Sequence, residues 1–538
     1  MSSNGSIRRG LLPATFAALA AMSAAAAADT LTIGLSAEPT SADPHYHNLG
    51  PNNALAKHIF GALIEQDAQQ LLGPGLAESW EPLDDTTWEI RLREGVTFSN
   101  GDAFTARDVV YTVCRIPTVP DAPSPFTLYT NAIAGMEIVD DHTIRITTDG
   151  PAPLLPNHLS TFTIISASAS GAEDEVAFDS EGCSGLGETP ESQAFTDPDF
   201  AVGTGPYVLS SFVRGDRIVL ARNPDYWGEA PAWEEIVLRP ITNPGARVAA
   251  LLAGDVDMIE NPPTQDIERI ESSGFKVSSG LSNRVIYIAL DQGDAPTPGI
   301  SGDANPLQDV KVREALAKAI NREAIRDRIM LGYSEPAGEL LPPPMFGTNA
   351  DREAIPFDEA AARELLAEAG YEDGFQITLG TPNDRYINDG QIAQAVAQMW
   401  SRIGVQTEVD AKTFSAFISD RNAFAFSAFL AGWGAGTGEM SSPLGALVAT
   451  RNPDAGLGGT NFARHSNTEM DDLLVEALRT VDEDAREALL QEASRVVMDS
   501  YGIIPIHYEL TTWAMRDDLD YEARADQYTL AYEVVPAN

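Results

Sequence analysis

The sequence predicts an α/β protein with more than one domain, and three observations carry that expectation. The chain has 538 residues, 43% of them hydrophobic, which is ample for a core and too long for one compact unit, so about two or three domains are expected. Beyond a Gly/Pro/Asp-rich stretch at 291–306, helical periodicity alternates regularly with short apolar strands. Before that stretch, hairpin and turn signals mix with isolated helices, as in an α+β unit.

Charge narrows the function classes. Asp and Glu number 79 against 35 Lys and Arg, a net charge of −44, which argues against nucleic acid or an anionic membrane as partner. With apolar content normal, the acidity does not signal disorder.

At the N-terminus, Arg8 and Arg9 precede an alanine-rich apolar stretch that ends Ala26-Ala27-Ala28 before Asp29. Residues 1–28 read as a cleavable export signal, too short and too alanine-rich for a membrane span. The arginine pair also admits a twin-arginine signal. No cysteine stands near the cleavage point, so a soluble exported chain without a lipid anchor is expected. Cys114 and Cys183 are the two cysteines. They could pair in an oxidising compartment, and they are too few for a zinc cluster.

Along the chain, 31–35 alternates as a strand. The polar run 36–53 reads as a loop, with His45 and His47 as exposed histidines lacking other groups at ligand spacing, so no metal is expected there. A helix is expected over 54–65 and a strand over 88–92. Thr105 through Asp108 form a capping box that opens a helix over 106–115. Residues 137–147 read as a hairpin. From Glu173 to Asp199 the chain carries nine acids and no base, too costly to bury and so read as a solvated excursion. Gly203-Thr204-Gly205 lacks the context of a phosphate loop and reads as a hairpin entry. Short elements follow at 247–253, from Met258, and at 285–290. In the second half, helices are expected over 310–319, 322–330, 358–369, 389–403, 468–479 and 483–499. Strands are expected over 376–380, 405–409, 424–430, 503–508 and 528–535.

Several segments together resemble the family 5 extracellular solute-binding proteins, the binding components of ABC importers for oligopeptides, dipeptides, nickel and related ligands. They are LAESW at 76–80, WEIRLREGVTF at 88–98, GD at 101–102, TARDVV at 105–110, GTGPY at 203–207, NPDYW at 223–227, DVKVREAL at 309–316 and AINR at 319–322. The resemblance implies a type II clamshell of two lobes with an extra subdomain in the first lobe. Lobe I would span 29–290 with the inserted subdomain at about 66–200, lobe II 291–508, and 509–538 would return to lobe I. The crossings are expected near 288–308 and 505–512. It further implies a periplasmic monomer without cofactor or catalysis that delivers a small ligand, foremost a short peptide, to membrane permease subunits.

Two loops are the candidate site, because loops at the carboxyl ends of parallel strands face ligand crevices. In the first, 381–388, Asp384, Arg385, Tyr386 and Asn388 are candidates. Arg385 could grip a carboxylate bidentately or make a surface or inter-lobe salt bridge, and Tyr386 could supply an aromatic wall. The helix start near Asp389 could offer free N–H groups to an anion. The second loop carries glycines at 432, 434, 436 and 438. There Trp433 could be a second wall or core packing, while Gly434 and Gly436 could let backbone approach a ligand. The resemblance implies an acid after Gly-Trp to hold a peptide amine. Gly436 stands there instead, leaving Glu439 or Asp384 for that role or a ligand without an amine. His507 could line the hinge or be structural. Two other classes stay open. An exported hydrolase would lack the G-x-S-x-G, HExxH and Cys-His motifs. A binder of nickel or another metal chelate would have seven histidines without a cluster.

Overall fold

The computed structural model describes residues 1, 30–294, 296–300 and 304–537; the expected signal segment lies outside the described residues. Its backbone is an eleven-stranded mixed sheet. From one edge the strands are Tyr207–Val213, Arg217–Arg222, Glu235–Pro240, Thr30–Leu35, Met258–Glu260, Ile504–Arg516, Phe275–Leu290, Ala428–Gly434, Phe375–Pro382 and Val405–Lys412. The short strand Ser334–Pro336 pairs beside Ile504–Arg516.

Two long antiparallel strands join the lobes. Phe275–Leu290 pairs with Ile504–Arg516 from Phe275↔Arg516 to Leu281↔Leu510, and resumes at Val285↔Tyr508 after a register shift. From Arg284 onward it also pairs with Ala428–Gly434. We propose that the chain passes between lobes at this shift, 281–285. The Gly/Pro/Asp-rich stretch follows the strand and is pinned at Asp291. There the Asp291 carboxylate takes Arg464 and Thr297, and its carbonyl accepts from Asn305 at 2.8 Å.

The run VIYIAL explains the second lobe. Val285, Tyr287 and Ala289 face one hydrophobic core, and Ile286, Ile288 and Leu290 face another. A strand buried on both faces needs an apolar residue at every position. On one side the helix Asp389–Arg402 covers it through Ile392, Val396 and Trp400. The Trp400 indole N–H donates to Leu316 O at 2.9 Å. The first lobe has its own core, which runs from Leu31 to Met258 and is completed by Trp513, Met515 and Val534 from the returning C-terminal segment.

A separate six-stranded sheet, from Ala77–Asp84 to Gly182–Ser184, forms an extra layer in the first lobe. Cys114 on the helix Ala106–Arg115 is disulfide-bonded to Cys183, 69 residues away, so the acidic excursion is tied back to this layer. Closing a loop of that length restricts the unfolded chain. Reduction is expected to lower stability by about 2–4 kcal/mol, while ligand affinity stays unchanged because neither cysteine lines the inter-lobe cavity. Denaturant melts with and without reductant, paired with a binding titration, check both halves of that expectation.

Four local expectations are corrected. The helix expected over 54–65 is Gly50–Ile59, followed by the strand Ile64–Gln66. Of residues 528–535 only Val535 enters a strand, the two-residue Val535–Pro536, because first-lobe side chains claim backbone groups before it: the Trp233 indole donates to Val534 O at 2.7 Å, and Ala531 N donates to His58 Nε2 at 2.8 Å. His45 is buried rather than exposed. Its Nδ1 accepts from Arg115 at 2.8 Å and its Nε2 bonds Thr163 O at 2.8 Å, beside the fully buried Arg115–Asp43 ion pair. Burial, reinforced by Arg115, holds its pKa at about 4.

The fourth correction concerns the glycine-rich segment. The strand expected over 424–430 is Ala428–Gly434, so Gly432, Trp433 and Gly434 are strand rather than loop. Phe424 takes φ +56 before it. Continuous pairing with Arg284–Leu290 overrides the breaker signal of the glycines.

Candidate functional site: an inter-lobe cavity

A cavity of about 710 Å³ lies where the lobes meet, within the usual size range of small-molecule sites. Three parallel-paired strands aim their carboxyl ends at it. Thr30–Leu35 leads to Ser36, Met258–Glu260 leads to Asn261–Gln265, and Phe375–Pro382 leads to Arg385–Asn388. The crossing strands add Ser282, Arg284 and Glu509–Thr512, and the return segment adds Asp526–Thr529.

Three of the six charged residues in the cavity wall, Arg284, Glu509 and Asp526, are held in ion pairs. Arg284 Nη1 lies 3.3 Å from Glu509 Oε2 and donates to Gln527 Oε1 at 3.0 Å. The other Glu509 oxygen accepts from Ile387 N at 3.3 Å, which ties the crossing strand to the 385–388 loop. Asp526 is paired with Arg524 at 2.6 Å. Among the described residues Arg247 donates to backbone carbonyls, among them Glu260 O, Ile241 O and Asn261 O, and it is attracted through space by the Glu260 carboxylate. Arg385 differs: its guanidinium makes no ion pair with the described residues and lies over the Tyr386 and Phe414 rings, 5.4 Å from each centroid.

Of the residues singled out by sequence, Arg385, Tyr386 and Asn388 line this cavity together. Tyr386 donates its hydroxyl to Gly432 O at 3.2 Å. A Cβ on Gly432 would stand 2.7 Å from that ring, so glycine is what lets the tyrosine lie flat on the strand. Asn388 adopts φ +57 and donates to Ile329 O at 2.9 Å. The helix start behind it is not free for an anion. Asp389 accepts from Arg385 N, Tyr386 N and Gly390 N at 2.8–3.1 Å, so the chain supplies its own carboxylate there.

The other candidates lie elsewhere. Asp384 accepts from Phe414 N at 2.7 Å at the start of the helix Phe414–Asn422. The Trp433 ring packs against a lobe II core and its indole donates to Ser442 Oγ at 3.2 Å. Gly434 sits against Asn283 and Arg284 on the crossing strand. The carbonyl of Gly436 accepts from Gln70 Nε2 at 3.0 Å, and that of Thr437 from Asn157 Nδ2 at 2.9 Å, so the loop is a contact between lobes. Gly438, at φ +68, closes that contact, where an added Cβ would stand 3.1 Å from the Gln70 side chain. Glu439 is 1% exposed and ion-paired with Arg486. Burial raises its carboxyl pKa against the pull of Arg486. It is a core ion pair and presents no carboxylate to the cavity.

His507 lies on the crossing strand Ile504–Arg516, fully buried, with neither ring nitrogen hydrogen-bonded among the described residues. Burial alone holds its pKa at about 3. Its folded pKa lies below the unfolded value, so the unfolded chain binds a proton that the native chain refuses, and stability falls as pH drops below about 6.5. His507→Leu should therefore gain on wild type by about 1.4 kcal/mol per pH unit below that point, as read from paired melts between pH 7.5 and 5.

Sequence reasoning missed Ser36, Glu260, Arg284 and Glu509. Glu260 ends a short strand before Pro262-Pro263, and the carboxyl-end rule applied there would have found it. Arg284 and Glu509 carry no local signal, because they reach the cavity only through the crossing geometry.

Residues 72–454 match the family model of the bacterial extracellular solute-binding proteins, family 5, and the chain belongs to that family. It is the substrate-binding protein of an ABC transporter, in a family of binding proteins rather than enzymes. It is 28% identical over 515 residues to the glutathione-binding protein GsiB of Escherichia coli (strain K12), covering 93% of each chain. It is 27% identical over 543 residues to di/tripeptide-binding protein 1 of Pseudomonas aeruginosa (strain UCBPP-PA14), covering 96% of each. In fold it is similar to HbpA2 from Haemophilus parasuis, with a TM-score of 0.79 at 23% identity over 95% of this chain and all of that one. Among the described residues no helix is long and apolar enough to cross a membrane.

Proposed function

We propose that this protein binds a short peptide in the inter-lobe cavity, in the periplasm, and presents it as a monomer to the permease subunits of its importer. The observation that carries this reading is Arg385, an arginine in the cavity wall without an ion-pair partner among the described residues. Its fork suits the C-terminal carboxylate of a peptide, with Tyr386 and Asn388 beside it. The di/tripeptide-binding relative supports the same ligand class. A ligand that touches both lobes favours their closed arrangement and must stabilise the fold by mass action. The test is a thermal-shift series with di- and trialanine, glutathione and a nickel–histidine chelate. A rise in melting temperature with the alanine peptides supports the reading. A rise with only glutathione or the chelate replaces it.

A further inference from the structure

Glu260 is the counterpart of Arg385 on the opposite lobe. It lies at the carboxyl end of the strand Met258–Glu260, and its side chain reaches the cavity. Its Oε2 accepts from Ser36 N at 2.7 Å and from Ser36 Oγ at 2.8 Å. Its Oε1 accepts from Thr529 Oγ1 at 2.6 Å. Ser36 and Thr529 line the same cavity. No Lys, Arg or His makes a salt bridge to this carboxylate among the described residues, and the nearby Arg247 spends its donors on carbonyls. The other acids of the cavity wall, Glu509 and Asp526, are both ion-paired. Ser36 and Thr529 thus fix the Glu260 carboxylate in the cavity wall, and Arg247 attracts it through space without forming a salt bridge among the described residues. In the same wall, Thr511 Oγ1 is buried without a hydrogen-bond partner among the described residues.

We propose that Glu260, oriented by Ser36 and Thr529, receives the terminal ammonium of the ligand, so that the bound molecule is a zwitterion strung between the lobes. The proposal rests on the peptide reading above and adds its polarity: amine on lobe I, carboxylate on Arg385 of lobe II. Lobe I presents a carboxylate without a salt bridge among the described residues and lobe II presents Arg385, so a ligand with an ammonium and a carboxylate meets a complementary charge at each end. The glycine-rich segment has no part in amine recognition, since Gly436 offers no side chain and Glu439 is committed to Arg486. A free amine at one end and a free carboxylate at the other is the chemistry of an unmodified short peptide. Glutathione, with a second carboxylate, leaves one negative charge unmatched.

The experiment is a calorimetric cycle with dialanine and N-acetyl-dialanine on the wild type and on Glu260→Gln. Wild type is expected to bind the acetylated peptide at least tenfold more weakly than the free one. Glu260→Gln is expected to lose a similar factor for dialanine and to show no further loss for N-acetyl-dialanine. If wild type binds the two peptides equally, the inference is overturned with the peptide reading intact, and that arm needs no variant to fold. If Glu260→Gln loses the same factor for both peptides, its effect is structural and the inference is likewise overturned. If wild type binds neither peptide, the peptide reading falls, and the polarity with it.

Discussion

Replacing Arg486 with methionine should cost roughly 3–5 kcal/mol of stability at neutral pH, with no direct effect on ligand affinity. Arg486 and Glu439 are ion-paired and both nearly buried in the second lobe, with Phe346 stacked on the guanidinium at 4.4 Å. Removing the cation alone leaves a carboxylate without its partner in a site where burial already raises its pKa. In the variant that pKa rises further. A carboxyl whose folded pKa exceeds its unfolded one stabilises fully below the unfolded value and loses that contribution as pH rises through the folded value. The deficit should therefore be small near pH 5 and grow toward pH 8. The double replacement Glu439→Gln with Arg486→Met should recover part of it, because removing both charges leaves neither one stranded. Denaturant unfolding across that pH range checks both the size and the sign. A loss that is flat in pH would mean that Glu439 is not the stranded group.

Arg385→Ala is expected to weaken binding of dialanine by one to two orders of magnitude, on the order of the worth of a charged hydrogen-bonded contact. Among the described residues Arg385 makes no ion pair, so its removal strands no buried charge there and should leave stability nearly unchanged. Arg385→Lys should fall between, keeping the charge but losing the two-pronged geometry. Binding loss without stability loss is the opposite pattern to that expected of Arg486, and the pair of variants separates a ligand contact from a structural one.

The contrast between these two arginines marks what was legible in the sequence. The 385–388 loop was readable because it follows a clear apolar strand and precedes a clear amphipathic helix, and the carboxyl-end rule then places it at the crevice. The segment from Gly432 to Glu439 misled because glycines signal a loop locally, whereas strand partners are chosen by the tertiary fold. Backbone pairing with Arg284–Leu290 carries the strand through Gly434 and turns Trp433 into a lobe II core. Glu439 was the nearest acid in sequence, but nothing local tells that Arg486, on the helix Glu483–Asp499, lies against it. His45 misled in the same way: its buried partner Arg115 is 70 residues distant. The cavity wall supplied by Arg284, Glu509 and Thr511 depends on where two long strands cross, which no short window of sequence reports.

The central claim is that a peptide carboxylate meets Arg385 in the inter-lobe cavity, and one calorimetric comparison addresses it directly. Dialanine and its C-terminal amide are titrated into the wild type and into Arg385→Ala. Wild type is expected to bind the acid more tightly than the amide, Arg385→Ala to lose this preference, and the amide to bind both proteins alike. Equal affinity of the wild type for acid and amide, with Arg385→Ala unchanged toward both, would contradict it.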